Sequence, residues 1–255
     1  MVSPTGARRM KADHPAIPIT LDEIVNAAVA CHEAGAKGLH LHVREEDGRH
    51  SIDVGRYQEA IHALKAAVPD LYVQVTSEAG GRYSPAEQRE MIRTLRPRHV
   101  SVALRELLSS PEDLDEGKTL YHFARAEGID VQHIAYSPRE LTFLIDKINS
   151  GIIPGDTHLL QITIGRYGDL MESNPKDLDP FLKIISAYEG TLAFDVMLCA
   201  FGSTETRCLT YAAERGVKAR VGFENSIWNS DGSVARNNAE RVAEVAASIS
   251  AATRC

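Results

Sequence analysis

The run GLHLHV at residues 38–43 carries two histidines one residue apart, His40 and His42. In an extended strand, residues two apart face the same side. His40 and His42 would then project together, with Leu39, Leu41 and Val43 on the other face. Two neutral imidazoles at that spacing can grip one divalent metal ion. The same spacing also suits two unrelated core or surface histidines, so a third ligand has to decide. A catalytic metal takes three protein ligands and keeps a position open for water or substrate. Glu224, in the run RVGFENS at 220–226, offers a carboxylate at the end of a late apolar run. Its alternative partner is a guanidinium, Arg220 or Arg44. Zn2+ suits two nitrogens and one oxygen, and Mn2+, Co2+ and Fe2+ remain compatible.

Residues so far apart meet only if the fold brings them together. Strand-length apolar runs rich in Val, Ile, Leu or aromatics recur at 38–43, 71–77, 99–104, 130–136, 158–164, 191–201 and 218–223. Helix starts lie between them. Thr20 with Glu23 forms a capping box, and Ser84-Pro85 with Glu87 repeats the design. SPED at 110–113, SPRE at 137–140, NPKD at 174–177 and STE at 203–205 offer further starts. The final helix is expected within 235–252. Strand alternating with helix over 255 residues predicts an α/β fold: one (β/α)8 TIM barrel domain spanning 1–255. Only MVSP is available for the first strand, which is therefore short or truncated. An open doubly wound sheet is the alternative, but no GxGxxG follows an early strand.

Barrel enzymes place their reactive groups where strands end. The strand ends here offer Gln74, Thr76, Ser77 and Glu78, then Ser101, Arg105 and Glu106, then Gln132, His133 and Tyr136, then Arg220, Glu224 and Asn225. Gln132 and His133 are adjacent, so one faces the barrel centre, and alternation with Ile134 and Tyr136 favours Gln132. The remaining histidines, His14, His50 and His158 among them, lack partner spacing and are expected at the surface or in caps.

A formal net charge of -7 without a basic stripe argues against a nucleic-acid partner. No apolar run reaches the roughly 18–20 residues that span a membrane. The start MVSPTGARRMKADHP lacks the apolar stretch of a signal peptide, and the cysteines lack CxxC spacing. A cytoplasmic protein with reduced thiols is the expectation.

Four stretches, PTGARRMKADHPAIPIT, AGAKGLHLHVREEDGR, RVGFENS and DGSVARNNAERV, occur in that order from residue 4 to residue 242. Together they resemble the beta-keto acid cleavage enzyme family, to which 3-keto-5-aminohexanoate cleavage enzyme belongs. The resemblance implies a (β/α)8 barrel with one Zn2+ per chain, held by an H-x-H strand and a glutamate of an R-V-G-x-E motif. Those positions match His40, His42 and Glu224. It implies condensation of a beta-keto acid with acetyl-CoA as co-substrate, then cleavage to acetoacetate and a new acyl-CoA. It implies a catalytic role for Arg220, substrate contacts from Ser77 and Ser101, and a homo-oligomer.

The chain departs from the family pattern at three places. The zinc glutamate is followed in the named member by a proton-transferring aspartate, here Asn225, and an amide cannot act as a carboxylate base. Asn225 could instead bond substrate or position Arg220, leaving Glu78, Glu106 or a metal hydroxide as base. Arg8 stands where that member has a glutamate that meets an ammonium group. A guanidinium favours an anion or a neutral polar group, so an amino-substituted keto acid is not expected. Gln132 or His133 replaces a further glutamate. Arg82, Arg105 and Arg166 are candidates for the CoA phosphates, and Trp228 is expected to pack. Two other readings compete: a metal-dependent aldolase or hydrolase on the same barrel, and a silent relative that binds a metal or small acid.

Overall fold

Seven parallel strands form one curled sheet: β1 (Gly38–Leu41), β4 (Tyr72–Thr76), β5 (His99–Ala103), β6 (Asp130–Ala135), β7 (Thr157–Ile164), β8 (Ala193–Ala200) and β9 (Lys218–Arg220), in that spatial order. The computed structural model describes residues 1–165 and 172–254. The gap between β1 and β9 is filled by Val2, which bridges Leu39 on one side and Val221 on the other, both parallel. Its N–H donates to the Gly38 carbonyl at 2.8 Å, and its carbonyl accepts from His40 at 2.8 Å. The eighth position of the barrel is thus a single bridging residue with its neighbours, as the brevity of MVSP predicts. A barrel closed in this way leaves no free sheet edge.

The helices α1 (Leu21–Glu33), α2 (Val54–Ala67), α3 (Pro85–Leu95), α4 (Leu104–Leu107), α5 (Asp113–Ala126), α6 (Pro138–Asn149), α7 (Asp179–Ser186), α8 (Glu205–Ala213) and α9 (Asn238–Ala252) follow the strands in turn. Local chemistry sets their starts. Thr20 and Ser84 cap α1 and α3 with full capping boxes, and Ser137 and Asn237 accept from the third residue of α6 and α9. Alternate strand residues such as Leu39, Leu41, Val100 and Leu160 are buried in the layer between strands and helices. Strands covered on both faces need apolar runs of this kind. The inward residues are more polar. Gln74 donates to Gln132 at 3.2 Å across the barrel interior.

Three expected elements change. SPED does not cap α5, which starts at Asp113; Ser110 instead donates to the Asp113 carboxylate through its N–H and its hydroxyl. The run 38–43 is not one strand. β1 ends at Leu41, and β2 (Val43–Arg44) leaves the barrel to pair antiparallel with β3 (His50–Ser51). The last run stops at Arg220 because Gly222 adopts φ +141 and turns the chain inward. Both changes set the site: they put His42 and Glu224 on the irregular backbone just beyond their strands. No helix among the described residues is long and apolar enough to cross a membrane.

Candidate metal centre and active site

His40 sits in β1 beside Gln74 of β4, because the parallel register pairs these two residues. Its Nδ1 lies 2.8 Å from Gln74 Oε1. With Nδ1–H donating to that oxygen, Nε2 is the bare nitrogen, the tautomer a metal needs. Burial, with Arg220 adding to it, pushes His40 well below the usual imidazole range, so the ring is neutral. The His42 ring lies 5.0 Å from that of His40, and its Nε2 is 3.5 Å from Glu224 Oε2. Among the described residues neither His42 ring nitrogen has a hydrogen-bond partner, although the residue is fully buried. Buried polar atoms are rarely left so.

Glu224 projects from the tight turn after β9. Asn225 and Ser226 both return their N–H groups to the Gly222 carbonyl, at 2.8 and 3.0 Å. Burial alone would raise the Glu224 carboxyl, but Arg220 and His42 beside it hold it well below the usual carboxylate range. Ser3 donates its hydroxyl to Glu224 Oε2. One ligand atom from each of His40, His42 and Glu224 falls within 4.8 Å of the others. Two neutral imidazoles and one ionised carboxylate match the donor set of a three-ligand metal centre, and the orphaned His42 nitrogens fit that role.

The cavity above this trio is lined by His40, Glu224, Arg220, Ser101, Glu78 and Glu106, with Tyr136, Gln161 and Phe201 among the other residues of the wall. The Ser101 hydroxyl and Gln161 Oε1 have no partner among the described residues. Burial raises the carboxyls of both Glu78 and Glu106; His42 opposes it at Glu78, and the Ala79 N–H, 2.9 Å from Glu106 Oε2, opposes it there. Arg8 lies at a side opening, lined also by Glu78, Phe201 and Glu224. Arg44 holds the segment that carries Arg8, donating to the carbonyls of Gly6 at 2.9 Å, Arg9 at 2.9 Å and Gly48 at 2.6 Å.

The sequence profile of the beta-keto acid cleavage enzyme family matches residues 1–254. The chain belongs to this family. A 3-oxoadipate:acetyl-CoA acetyltransferase of Cupriavidus necator is 28% identical over 258 residues, covering 96% of this chain and 86% of that protein. A 3-keto-5-aminohexanoate cleavage enzyme of Acetoanaerobium sticklandii is 26% identical over 245 residues, covering 94% and 87%. Among solved structures, ObcA with a C4-CoA adduct and oxalate superposes with a TM-score of 0.72 at 15% identity, covering 93% of this chain. The chain spans 64% of ObcA, under two thirds, and the likeness there is one of fold.

Within this beta-keto acid cleavage enzyme, three expected substrate or catalytic residues stand off the cavity wall. Ser77 donates its hydroxyl to the Ser101 carbonyl at 2.9 Å. Gln132 faces the barrel interior, but beneath the cavity, where it accepts from Gln74. Asn225 is fully buried behind Arg220. His133 points outward against Tyr121 and His158, which removes it as a fourth ligand. His14, His50 and His158 are buried rather than superficial. His50 packs 5.3 Å from the His42 ring and is pinned by the Glu78 carbonyl at 2.8 Å. Trp228 is 38% exposed, because its segment forms a hairpin bridge with Val234 outside the barrel. Arg82 donates to the His50 carbonyl, Arg105 stacks 3.8 Å over Tyr136, and Arg166 lies outside the described residues.

Other contributors had no signal of a site in the sequence. Ser3 and Cys199 act through partners on distant elements and belong to no spaced motif, and Glu205 stands in STE, which marks only a helix start. Two expectations follow. Gln74→Leu removes the acceptor that sets the His40 tautomer, and metal affinity should fall about 10–100-fold in a competition assay with a chelator. Gly6 has φ +63, and a Cβ there would stand 2.6 Å from Glu224 Cγ. Gly6→Ala should leave the barrel folded by circular dichroism yet lower bound metal, because Glu224 must move to make room.

Proposed function

We propose that this chain condenses a beta-keto acid with acetyl-CoA and cleaves the adduct to acetoacetate and a new acyl-CoA, with Zn2+ held by His40, His42 and Glu224. The observation that carries this reading is the convergence of those three ligand atoms beside a cavity that His40 and Glu224 line together with Arg220, Glu78 and Glu106. The ion would act as a Lewis acid toward the ketone and carboxylate oxygens of the keto acid.

The rest falls to the protein. Glu78, on the walls of both the cavity and the side opening, takes the proton from C2 of the keto acid. Burial at the cavity wall raises its carboxyl, the direction that suits a base. Glu106 is the poorer base, since one oxygen is engaged by the Ala79 N–H. The C2 carbanion attacks the acetyl carbonyl, and the CoA thiolate leaves. The thiolate then adds to the original ketone carbon, and the bond from that carbon to C2 breaks. Acetoacetate keeps C2 and the carboxylate and takes back at C2 the proton held by Glu78, and the remaining acyl group departs on CoA. Arg220 orients the oxygen that gains charge, and the unpartnered Ser101 hydroxyl is available to the substrate carboxylate.

Arg8 at the side opening favours a keto acid whose far end is anionic or neutral, the first as in the 3-oxoadipate enzyme that this chain resembles. Incubation with acetyl-CoA and a panel of beta-keto acids tests the reading. Turnover should require acetyl-CoA, and a 3-oxo dicarboxylate should exceed an amino-substituted keto acid by about tenfold, a preference of about 1.4 kcal/mol. Arg8→Glu should reverse that order. Turnover without acetyl-CoA would instead mark an aldolase or hydrolase, and no turnover with the whole panel would sink the proposal.

A further inference from the structure

A buried chain of four side chains runs from the outer helices to Arg220. Arg241 of α9 donates to Glu205 Oε2 at 2.7 Å, and both side chains are fully buried. Glu205 Oε1, at the first residue of α8, accepts from Asn225 Nδ2 at 3.3 Å and from the Gly222 N–H at 3.2 Å. Asn225 Nδ2 also donates to the Arg220 carbonyl at 3.1 Å. Its Oδ1 accepts from Arg220 Nη2 at 3.4 Å and from Cys199 Sγ at 3.2 Å. The amide of Asn225 therefore meets acceptors on its nitrogen side and donors on its oxygen side. It has one satisfied orientation. A flip would turn its N–H groups against the guanidinium and face its oxygen with a carboxylate.

We infer that Glu205 is a positioning residue for Arg220, acting through Asn225; this rests on the reaction proposed above. The ionised Glu205 accepts only, so it commits the Asn225 nitrogen to itself and the Asn225 oxygen to Arg220. Arg220 is thereby aimed from behind at the cavity wall that it shares with Glu224, 3.5 Å from its Nη2. A glutamine at 205 could present either its oxygen or its NH2 group, and its hydrogen bond loses the assistance of charge. Asn225 would then no longer be held to one orientation.

The experiment is a double-mutant cycle in kcat on wild type, Glu205→Gln, Asn225→Ala and the double variant, with metal content and thermal unfolding alongside. Glu205→Gln should lower kcat about tenfold, the worth of one positioning hydrogen bond in the transition state, while KM for acetyl-CoA and bound metal change little. In the Asn225→Ala background the same substitution should have no further effect on kcat. An unchanged kcat, or a loss that persists undiminished without Asn225, overturns the inference. If Glu205→Gln fails to fold, the pair Glu205→Leu/Arg241→Leu removes the same acceptor while leaving no buried charge behind, and the same fall in kcat is expected. A crystal structure of that pair decides the point without turnover, so the positioning role is judged apart from the reaction. Arg220 displaced from Cys199 supports it, and Asn225 and Arg220 unmoved overturn it.

Discussion

His42→Ala should purify without metal, and its kcat/KM should fall at least about a thousandfold. The figure follows from the several kcal/mol that a Lewis acid contributes, at 1.36 kcal/mol for each factor of ten. Glu224→Ala should match it, because each variant leaves two ligands where three are needed. Elemental analysis checks the first half of the expectation and steady-state kinetics the second. One zinc per chain retained by both variants would show that the ion sits elsewhere. A stability measurement adds an independent check. His42 buries two ring nitrogens without partners among the described residues, and each such group costs about 1–3 kcal/mol in a protein that lacks its ligand. Metal-free His42→Leu should therefore unfold at no lower temperature than metal-free wild type. With zinc added, wild type alone should gain stability.

Arg241→Met should cost about 3–5 kcal/mol, since it leaves the Glu205 carboxylate buried without its cation. For a chain of this size that is a fall in Tm of very roughly 6–20 °C. The loss should depend on pH. Burial, opposed by Arg241, raises the Glu205 carboxyl from 4.5 to about 7 in the folded protein. The folded state then binds more protons than the unfolded state between those values. Stability on this account falls as pH rises through that window and is level above it. Without Arg241 the carboxyl moves further up. The gap between variant and wild type should therefore be widest above neutral pH and narrow toward acid, where Glu205 takes a proton. The surrounding charges are Arg241 with Glu244 on α9, Arg9 on the N-terminal segment, and Arg220 reached through Asn225. Urea unfolding at about pH 5.5 and about pH 8 measures the gap. A gap that is the same at both would show that Glu205 is ionised throughout.

How far the site could be read from the sequence depends on the range of the forces that build it. The barrel was legible because apolar runs and helix caps are local patterns. Thr20 with Glu23 and Ser84 with Glu87 need only their own neighbours to form. The H-x-H pair and the R-V-G-x-E motif were legible because their spacing is also local, and they carried the family. The inward direction of Gln132 followed from alternation alone. Whether a given polar group reaches the cavity did not follow, since that depends on depth along the barrel axis. Ser77 and Gln132 face partners at other depths, and no single strand encodes how its neighbours are staggered.

The amino-acid sequence by itself determined the order of the main strands and helices, the candidate ligand residues and the absence of a carboxylate at position 225. Only the tertiary structure decided what replaces it. Parallel pairing of β1 with β4 set Gln74 behind His40, and the turn at Gly222 brought Glu224 to 3.5 Å from His42. Packing of α8 and α9 against that turn put Glu205 and Arg241 behind Asn225, residues 20 and 16 positions away in the chain. Such contacts arise from burial, which draws distant side chains into one interior and then obliges every polar atom there to find a partner.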